Sequence, residues 1–221
     1  MPNWCDNTVY ITHDDPKKIQ ILVDAWKANK FFGTIYPEPD YTKVKVKHTF
    51  PMNVSTGEPK PEYVDPESAW WDWRVQNWGT KWEVACDDYY KPIIDNDGRS
   101  LKVSFSTAWS PPTGIYDRLV NDGYSVDAYY YEGGCAFCGH YSDGNDQTYG
   151  IDGNWEWVQN NIPDQIDTEF CISESMKEWA MEKLANEIDS LEEDVANDPD
   201  NAELKSTLES KKKELEEMEN G

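Results

Sequence analysis

One run of strict alternation constrains the fold more than any other feature of this sequence. Leu101, Val103, Phe105 and Thr107 alternate with polar residues at positions 102, 104 and 106. Successive side chains of a strand point to opposite faces, so this pattern predicts a strand with one face on a core. The elements on either side of this strand then decide how a sheet can form.

Weaker alternation predicts three more strands. They lie at 8–11, 82–87 and 126–130, and residues 131–142 are expected to return as the hairpin partner of the last one. Apolar residues at helical spacing predict a helix over 19–26 and a second one after Pro111-Pro112. The order strand, helix, strand, strand, helix, strand predicts an α+β fold with a ferredoxin-like split βαβ arrangement, in which one antiparallel sheet carries helices on one face.

Between the first helix and the second strand lies a long insertion. Residues 33–66 hold six prolines and predict irregular structure, with one short strand at KVKVKHTF (43–50). Asp65 as N-cap and Pro66 as the first helical residue predict a tryptophan-rich helix that ends at Gly79.

From residue 173 the pattern changes to apolar residues three and four apart, interrupted at 197–200. This spacing predicts two helices that fold back as an antiparallel hairpin. The expected domains are therefore 1–172, ferredoxin-like, and 173–221, the helical hairpin. The segment 174–221 suits either self-association into a homo-oligomer or docking to another protein.

The charge of the chain limits its partners. It holds 43 acidic and 20 basic residues, a formal net charge of −23, and residues 174–221 contribute −10 of this. Such a chain is not expected to bind nucleic acid directly on a basic surface or to attach to an anionic membrane. Without a membrane span or signal-peptide pattern, and with five cysteines, it is expected in the cytoplasm with reduced thiols.

Three motifs of rare composition carry a resemblance to a known family. They are MPNWCDN at the start, WWDWRVQNWGTKW at 70–82 and FSTAWSPP at 105–112. Together they resemble the YubB-like, ferredoxin-fold family of phages and plasmids, over roughly residues 1–150. The resemblance implies a ferredoxin fold and an origin on a mobile element, with no reaction attached. Plasmid relatives lie among genes that help incoming DNA survive host defences, which implies an anti-defence role by association.

Aromatic and basic residues in these motifs could form a binding pocket. The predicted binding residues are Trp70, Trp73, Arg74, Asn77, Lys81, Trp109, Asn3 and Trp4. Indole rings can stack a base while Arg and Lys hold phosphate, so the set suits a flat anionic ligand. The alternative interpretation is structural: the indoles bury the helix against the sheet, the cations pair with carboxylates, and Asn3 and Trp4 satisfy backbone groups.

The run GGCAFCGHY raises the question of a metal. Cys135, Cys138 and His140 have the spacing of half a zinc site, which Cys171 or an Asp would have to complete. The YubB-like pattern has a Gly-rich aromatic stretch here, so a metal would be particular to this branch. The other interpretation is two free thiols in a hairpin. No cofactor is expected apart from this open possibility of zinc.

Motifs of the common enzyme classes, such as HExxH, G-x-S-x-G and Walker-type GK[ST], are absent from the sequence. The leading hypothesis is a non-enzymatic phage or mobile-element protein that interferes with a host process by binding a host protein with a basic surface. One alternative is capture of a small nucleotide signal in the Trp/Arg/Lys pocket. Another is a structural or assembly protein that oligomerises through the C-terminal hairpin.

Overall fold

The computed structural model describes residues 3–85 and 91–220. The chain forms two compact units, Met1–Ile151 and Asp152–Gly221. The predicted boundary lies at residues 172–173, whereas the boundary in the structure precedes two short helices that belong to the second unit.

The first unit is built on a six-stranded antiparallel sheet. Its strands are β1 (Trp4–Thr12), β2 (Ile93–Asp95), β3 (Ser100–Ala108), β4 (Ser125–Glu132), β5 (Phe137–Ser142) and β6 (Asn145–Gly150). They lie in the order β2-β3-β1-β4-β5-β6, and each neighbouring pair is antiparallel. The α+β class and the antiparallel sheet are confirmed, and β5 is the expected hairpin partner of β4.

Helices cover one face of this sheet. They are α1 (Pro16–Lys27), α2 (Phe31–Ile35), α3 (Ala69–Asn77) and α4 (Thr113–Asn121). The alternate residues Val9 and Ile11 of β1 and Val103 and Phe105 of β3 are buried in one cluster with the apolar residues of all four helices. The alternation at 101–107 therefore arises as predicted: this segment is a strand, and every second side chain packs into the core.

The predicted second strand is wrong over the part that can be described. Residues 82–85 form no strand, and Cys86 and Asp87 lie outside the described residues. The alternation there has a different origin, because the Glu83 carboxylate accepts hydrogen bonds from the backbone N–H groups of Phe32 and Gly33 at 2.7 and 2.8 Å. Burial raises the pKa of Glu83 despite these bonds. The second strand is instead β2, a short edge strand.

The insertion is an arm with little regular structure. The strand predicted at 43–50 is absent, and isolated bridges join Lys47 to Tyr63 and Met52 to Pro59. The tryptophan helix begins later than predicted, with Ser68 as its N-cap. This is because Ser68 donates its backbone N–H and its hydroxyl to the carbonyl of Asp65, which closes a turn over 65–68. Gly79 has the predicted left-handed backbone, with φ of +88°.

The second unit is helical. Its helices are α5 (Trp155–Asn161), α6 (Asp164–Phe170), α7 (Ile172–Asn197) and α8 (Ala202–Asn220). Ion pairs of Lys211 with Glu187 (3.2 Å) and of Lys212 with Glu192 (2.5 Å) join α7 to α8. The antiparallel helical hairpin is thus confirmed. Within the part of the chain that is described, no helix is long and apolar enough to span a membrane.

The close packing of α3 on α4 should make the fold sensitive to a side chain at Gly114. A Cβ at Gly114 would lie 2.0 Å from the carbonyl oxygen of Asn77, and a backbone atom cannot move aside easily. We expect Gly114→Ala to lower the free energy of unfolding by about 2–4 kcal/mol, measured by urea denaturation.

The matched control is Gly150→Ala, since a Cβ at Gly150 meets nothing within 4 Å. It should change the free energy of unfolding by less than about 0.5 kcal/mol. Equal effects of the two variants would contradict the close contact between α3 and α4.

Candidate functional site

The buried side chain of Asn7 connects three elements at one end of the sheet. Its amide nitrogen donates to the carbonyl of Cys5 (2.8 Å) and to the hydroxyl oxygen of Thr107 (2.9 Å). Its amide oxygen accepts a hydrogen bond from the hydroxyl of Tyr116 on α4 (3.0 Å). The hydroxyl of Thr107 in turn donates to the carbonyl of Ser110 (2.7 Å). Asn7 therefore fixes how the chain leaves β3.

The segment after α3 is attached to the same place. The hydroxyl of Ser110 donates to the carbonyl of Gly79 (2.6 Å), and the hydroxyl of Thr80 donates to the carbonyl of Ala108 (3.2 Å). The backbone N–H of Trp109 donates to the carbonyl of Asn3 (3.0 Å). These bonds bring together residues of all three rare motifs, which lie far apart in the sequence.

A cleft of about 330 Å³ lies where the motifs meet. We call it the aromatic cleft; its apolar lining residues are Phe50, Trp71, Val75, Ala108 and Trp109, and its polar ones include Thr80, Lys81 and Ser110. Trp109 has a left-handed backbone, with φ of +73°, and its side chain is 47% exposed. A bulky residue seldom adopts this conformation, and such outliers cluster at functional sites.

Further indoles lie beside this cleft. Trp4 is opposite Ala108 in the β1–β3 pairing, which places their side chains on the same face of the sheet. The rings of Trp4 and Trp82 are 6.0 Å apart, and Lys81 Nζ lies 4.1 Å from the centre of the Trp82 ring. Of the predicted binding residues, Lys81, Trp109, Asn3 and Trp4 thus lie at this end of the sheet.

The predicted binding residues of α3 make internal contacts instead. Trp73 is 8% exposed and packs edge-on against Tyr36 and Trp78. Asn77 accepts a hydrogen bond from the Tyr36 hydroxyl and donates to the carbonyl of Trp73. The contacts of Trp73 match the structural interpretation, whereas Asn77 also lines a polar surface cavity of about 320 Å³ between α3 and α4.

Arg74 is also engaged within the protein. Its guanidinium is paired with Glu38 at 2.5 Å and lies 5.2 and 4.7 Å from the ring centres of Trp70 and Trp78. Its Nε is buried without a hydrogen-bond partner among the residues described. Arg74 therefore holds the insertion against α3, and Trp70 covers it from the outer side.

Three residues that line the cleft were not predicted. They are Trp71 and Val75 of α3 and Phe50 of the insertion. Phe50 is in reach because the backbone N–H of Thr49 donates to the carboxylate of Asp72 at 2.5 Å. Its ring lies 6.1 Å from that of Trp71. Phe50 carries no signal in the sequence that would have identified it.

The candidate zinc ligands are arranged as follows. Cys135 is exposed, and its sulfur accepts a hydrogen bond from Asn3 at 3.5 Å, whereas Cys138 is buried in β5. The His140 ring bonds to Asp127 at 2.5 Å and is stacked on Tyr129. In residues 3–85 and 91–220, no three or more His, Cys, Asp or Glu side chains are grouped to hold a metal. Cys171 belongs to the second unit. Zinc binding stays a prediction.

The second unit carries an acidic surface along α7. Exposed carboxylates share one face of this helix at Glu174, Glu178, Glu182, Asp189 and Glu193, which we call the acidic stripe. The lysines of α7 are turned towards rings, with Lys177 4.9 Å from the centre of Trp155 and Lys183 5.7 Å from that of Trp179. Across the described chain, no Lys or Arg forms an ion pair with the stripe.

Comparisons with known proteins add little to this description. No protein-family model matches the sequence. No curated protein matches it either. The chain is similar to the crystal structure of a protein api92 from Yersinia pseudotuberculosis, family-model DUF1281, with a TM-score of 0.36 and 11% identity, over 69% of this chain and 100% of that chain. A TM-score of this size carries no argument about fold or function, and the resemblance to YubB-like proteins stays a prediction.

The Glu38–Arg74 pair makes stability depend on pH. Burial opposes the ionisation of Glu38, but hydrogen bonds from Arg74 and Tyr41 and the charge of Arg74 outweigh it, so the pKa of Glu38 lies below its usual value. A lowered pKa stabilises the fold above the unfolded-state pKa and loses this effect as the pH falls. We expect Glu38→Gln to lower the free energy of unfolding by about 1–2 kcal/mol at pH 7.

This difference should shrink as the pH falls below about 4, measured by urea denaturation at several pH values. Glu62→Gln is the control, because Glu62 pairs with Lys47 at an exposed position and should contribute about 0–1 kcal/mol. A Glu38→Gln effect that is the same at pH 7 and at acid pH would contradict the ionised pair.

Proposed function

We propose that this chain is a non-enzymatic binding protein that occupies the basic surface of a host protein. The observation that carries the proposal is the acidic stripe on α7. Its five carboxylates are exposed, and no described Lys or Arg forms an ion pair with them. An uncompensated row of like charges raises the local negative potential and favours a partner of opposite charge.

The spacing of the stripe suits a partner that binds nucleic acid. Residues four apart on a helix are separated by about 6 Å along its axis, and the stripe from Glu174 to Glu193 extends over about 29 Å. Proteins that bind DNA place Lys and Arg along a groove to neutralise successive phosphates. A helix with carboxylates along one face, four residues apart except for the seven between Glu182 and Asp189, can occupy such a groove in place of the nucleic acid.

The resemblance to YubB-like proteins suggests which process is affected. A phage or plasmid protein of this kind would act in the host cytoplasm, and its target would be a host protein, for example one used in defence against incoming DNA. This part of the proposal depends on the resemblance alone, whereas the basic partner is supported by the charge and exposure of α7.

A competition experiment tests the acidic stripe. The basic, heparin-binding proteins of a bacterial lysate are bound to a short fluorescent DNA duplex, and the full chain is added while anisotropy is recorded. We expect the chain to release the DNA. The variant E174Q/E178Q/E182Q/D189N/E193Q should release the DNA only at a concentration about ten-fold higher or more. Its side chains keep their shape but lose the negative charge.

The control removes the same number of charges elsewhere, as D200N/E203Q/E209Q/E216Q/E219Q at the turn and on α8. It should release DNA within about two-fold of the natural chain. If both variants lose the ability to release DNA to the same extent, the net charge of the chain and not the stripe is responsible. If the natural chain releases no DNA, the proposal fails.

We also propose that the core of the sheet is a ferredoxin-like split βαβ arrangement. The strands β4-β1-β3-β2 are neighbours in that order, α1 lies between β1 and β2 in the chain, and α4 lies between β3 and β4. On this interpretation β5 and β6 extend the ferredoxin-like sheet at one edge, and α3 with the arm before it is the insertion.

Self-association through 174–221 is the second candidate function. The observation that favours it is the exposure of α8: all of its residues are described and none is fully buried, so Leu204, Leu208, Leu215 and Met218 are only partly covered. A second copy could cover them, although the charge of this segment opposes close approach of two copies.

Sedimentation distinguishes this candidate. If the hairpin drives assembly, the full chain sediments as an oligomer above about 0.3 M salt, where charge repulsion is screened within a few ångströms. The variant L208E/L215E should then sediment as a monomer, and E203Q/E209Q should not differ from the natural chain. A natural chain that is monomeric at high salt would exclude assembly through this surface.

A further inference from the structure

The aromatic cleft has the size and lining of a small-molecule site. Its volume of about 330 Å³ lies at the lower end of the range for ligand pockets, and the residues that form its walls are largely apolar and aromatic. The indoles of Trp71 and Trp109 both line it. Indole rings stack on the flat face of any nucleobase, so these walls suit a nucleobase as ligand.

The backbone of Trp109 supports a binding role for its ring. A left-handed residue other than Gly costs about 1–3 kcal/mol and persists only where its surroundings hold it. Here the N–H of Trp109 is bonded to Asn3, and the carbonyls of Ala108 and Ser110 accept the hydroxyls of Thr80 and Thr107. This network keeps a half-exposed indole at the cleft instead of letting it join the core.

Lys81 supplies a positive charge at the same place. Across the described chain, no carboxylate forms an ion pair with it, and its ammonium lies over the exposed Trp82 ring. By contrast, Arg74 and Arg118 are each paired with a carboxylate. The charge of Lys81 is therefore available to an anion.

The polar groups of the cleft indicate how specific the binding can be. The hydroxyls of Thr80 and Ser110 donate to backbone carbonyls, so they offer a ligand only acceptor oxygens. Recognition by stacking and by one charge tolerates different bases.

We propose that the aromatic cleft binds a nucleotide of the size of a nucleoside monophosphate. The base stacks on Trp109 and Trp71, and the phosphate lies at Lys81. This site shares Lys81 and Trp109 with the predicted set of binding residues, but Trp73 and Arg74 take no part in it. It is independent of the acidic stripe.

Calorimetry on the full chain tests this proposal, with adenosine monophosphate and uncharged adenosine as probes. We expect the monophosphate to bind more tightly than adenosine by about three- to ten-fold. Lys81→Gln should remove this preference and leave adenosine binding unchanged. Trp109→Ala should weaken the binding of both probes by about ten-fold or more, since the stacking of the base on this indole is lost.

Two further variants guard against a trivial loss of folding. Trp109→Phe keeps an aromatic wall at the same backbone position and should bind within about five-fold of the natural chain. Trp179→Ala removes an exposed indole of the second unit and should bind like the natural chain. The stripe variant should also bind the monophosphate normally, which separates this proposal from the proposed function.

Three results would overturn the nucleotide site. They are no binding of either probe at about 1 mM, normal binding by Trp109→Ala, and an unchanged preference for the monophosphate in Lys81→Gln.

Discussion

The hydrogen bonds of the Asn7 side chain are the constraint on which the candidate cleft depends. A buried amide needs partners for its oxygen and its nitrogen, and Asn7 finds them on β1, β3 and α4. Thr107 and Ser110 extend these bonds to Gly79, so the end of β3 and the end of α3 are held together. An apolar residue at position 7 would remove the acceptor of the buried Tyr116 hydroxyl, at about 1–3 kcal/mol for the unsatisfied group, and would leave the Thr107 hydroxyl with its bond to Ser110.

Elements whose side chains meet a single core could be predicted from the sequence. The alternation at 101–107 and the spacing of α7 and α8 identify the correct element, because each has one apolar face. The alternation at 82–87 predicted a strand wrongly because its residues contact unrelated parts of the fold. Trp82 packs on the indole of Trp4, Glu83 binds the start of α2, and Val84 lies in the core. The true edge strand β2 was missed because Ile93 and Ile94 are exposed and follow no pattern.

The sequence identifies the segments that form the candidate site, but it does not identify which of their side chains line the cleft. Rare composition singled out the three motifs that meet at the cleft, together with Lys81 and Trp109. The sequence places Trp73 and Arg74 in one predicted set of binding residues but cannot decide which face of α3 enters the core, since indoles occur all around this helix. The answer depends on contacts from the insertion, where Glu38 takes Arg74 and Tyr36 packs on Trp73. Such contacts between distant segments leave no periodic signal.

The measurement that most directly tests this account compares the free energies of unfolding of Trp109→Gly and Trp109→Ala. Glycine adopts a φ of +73° freely, whereas alanine does not. If the network around Asn7 holds this residue in the left-handed region, Trp109→Gly should be more stable than Trp109→Ala by about 0.5–1 kcal/mol, despite the greater freedom of glycine in the unfolded chain. An alanine variant that is as stable as the glycine variant, or more stable, would contradict the account.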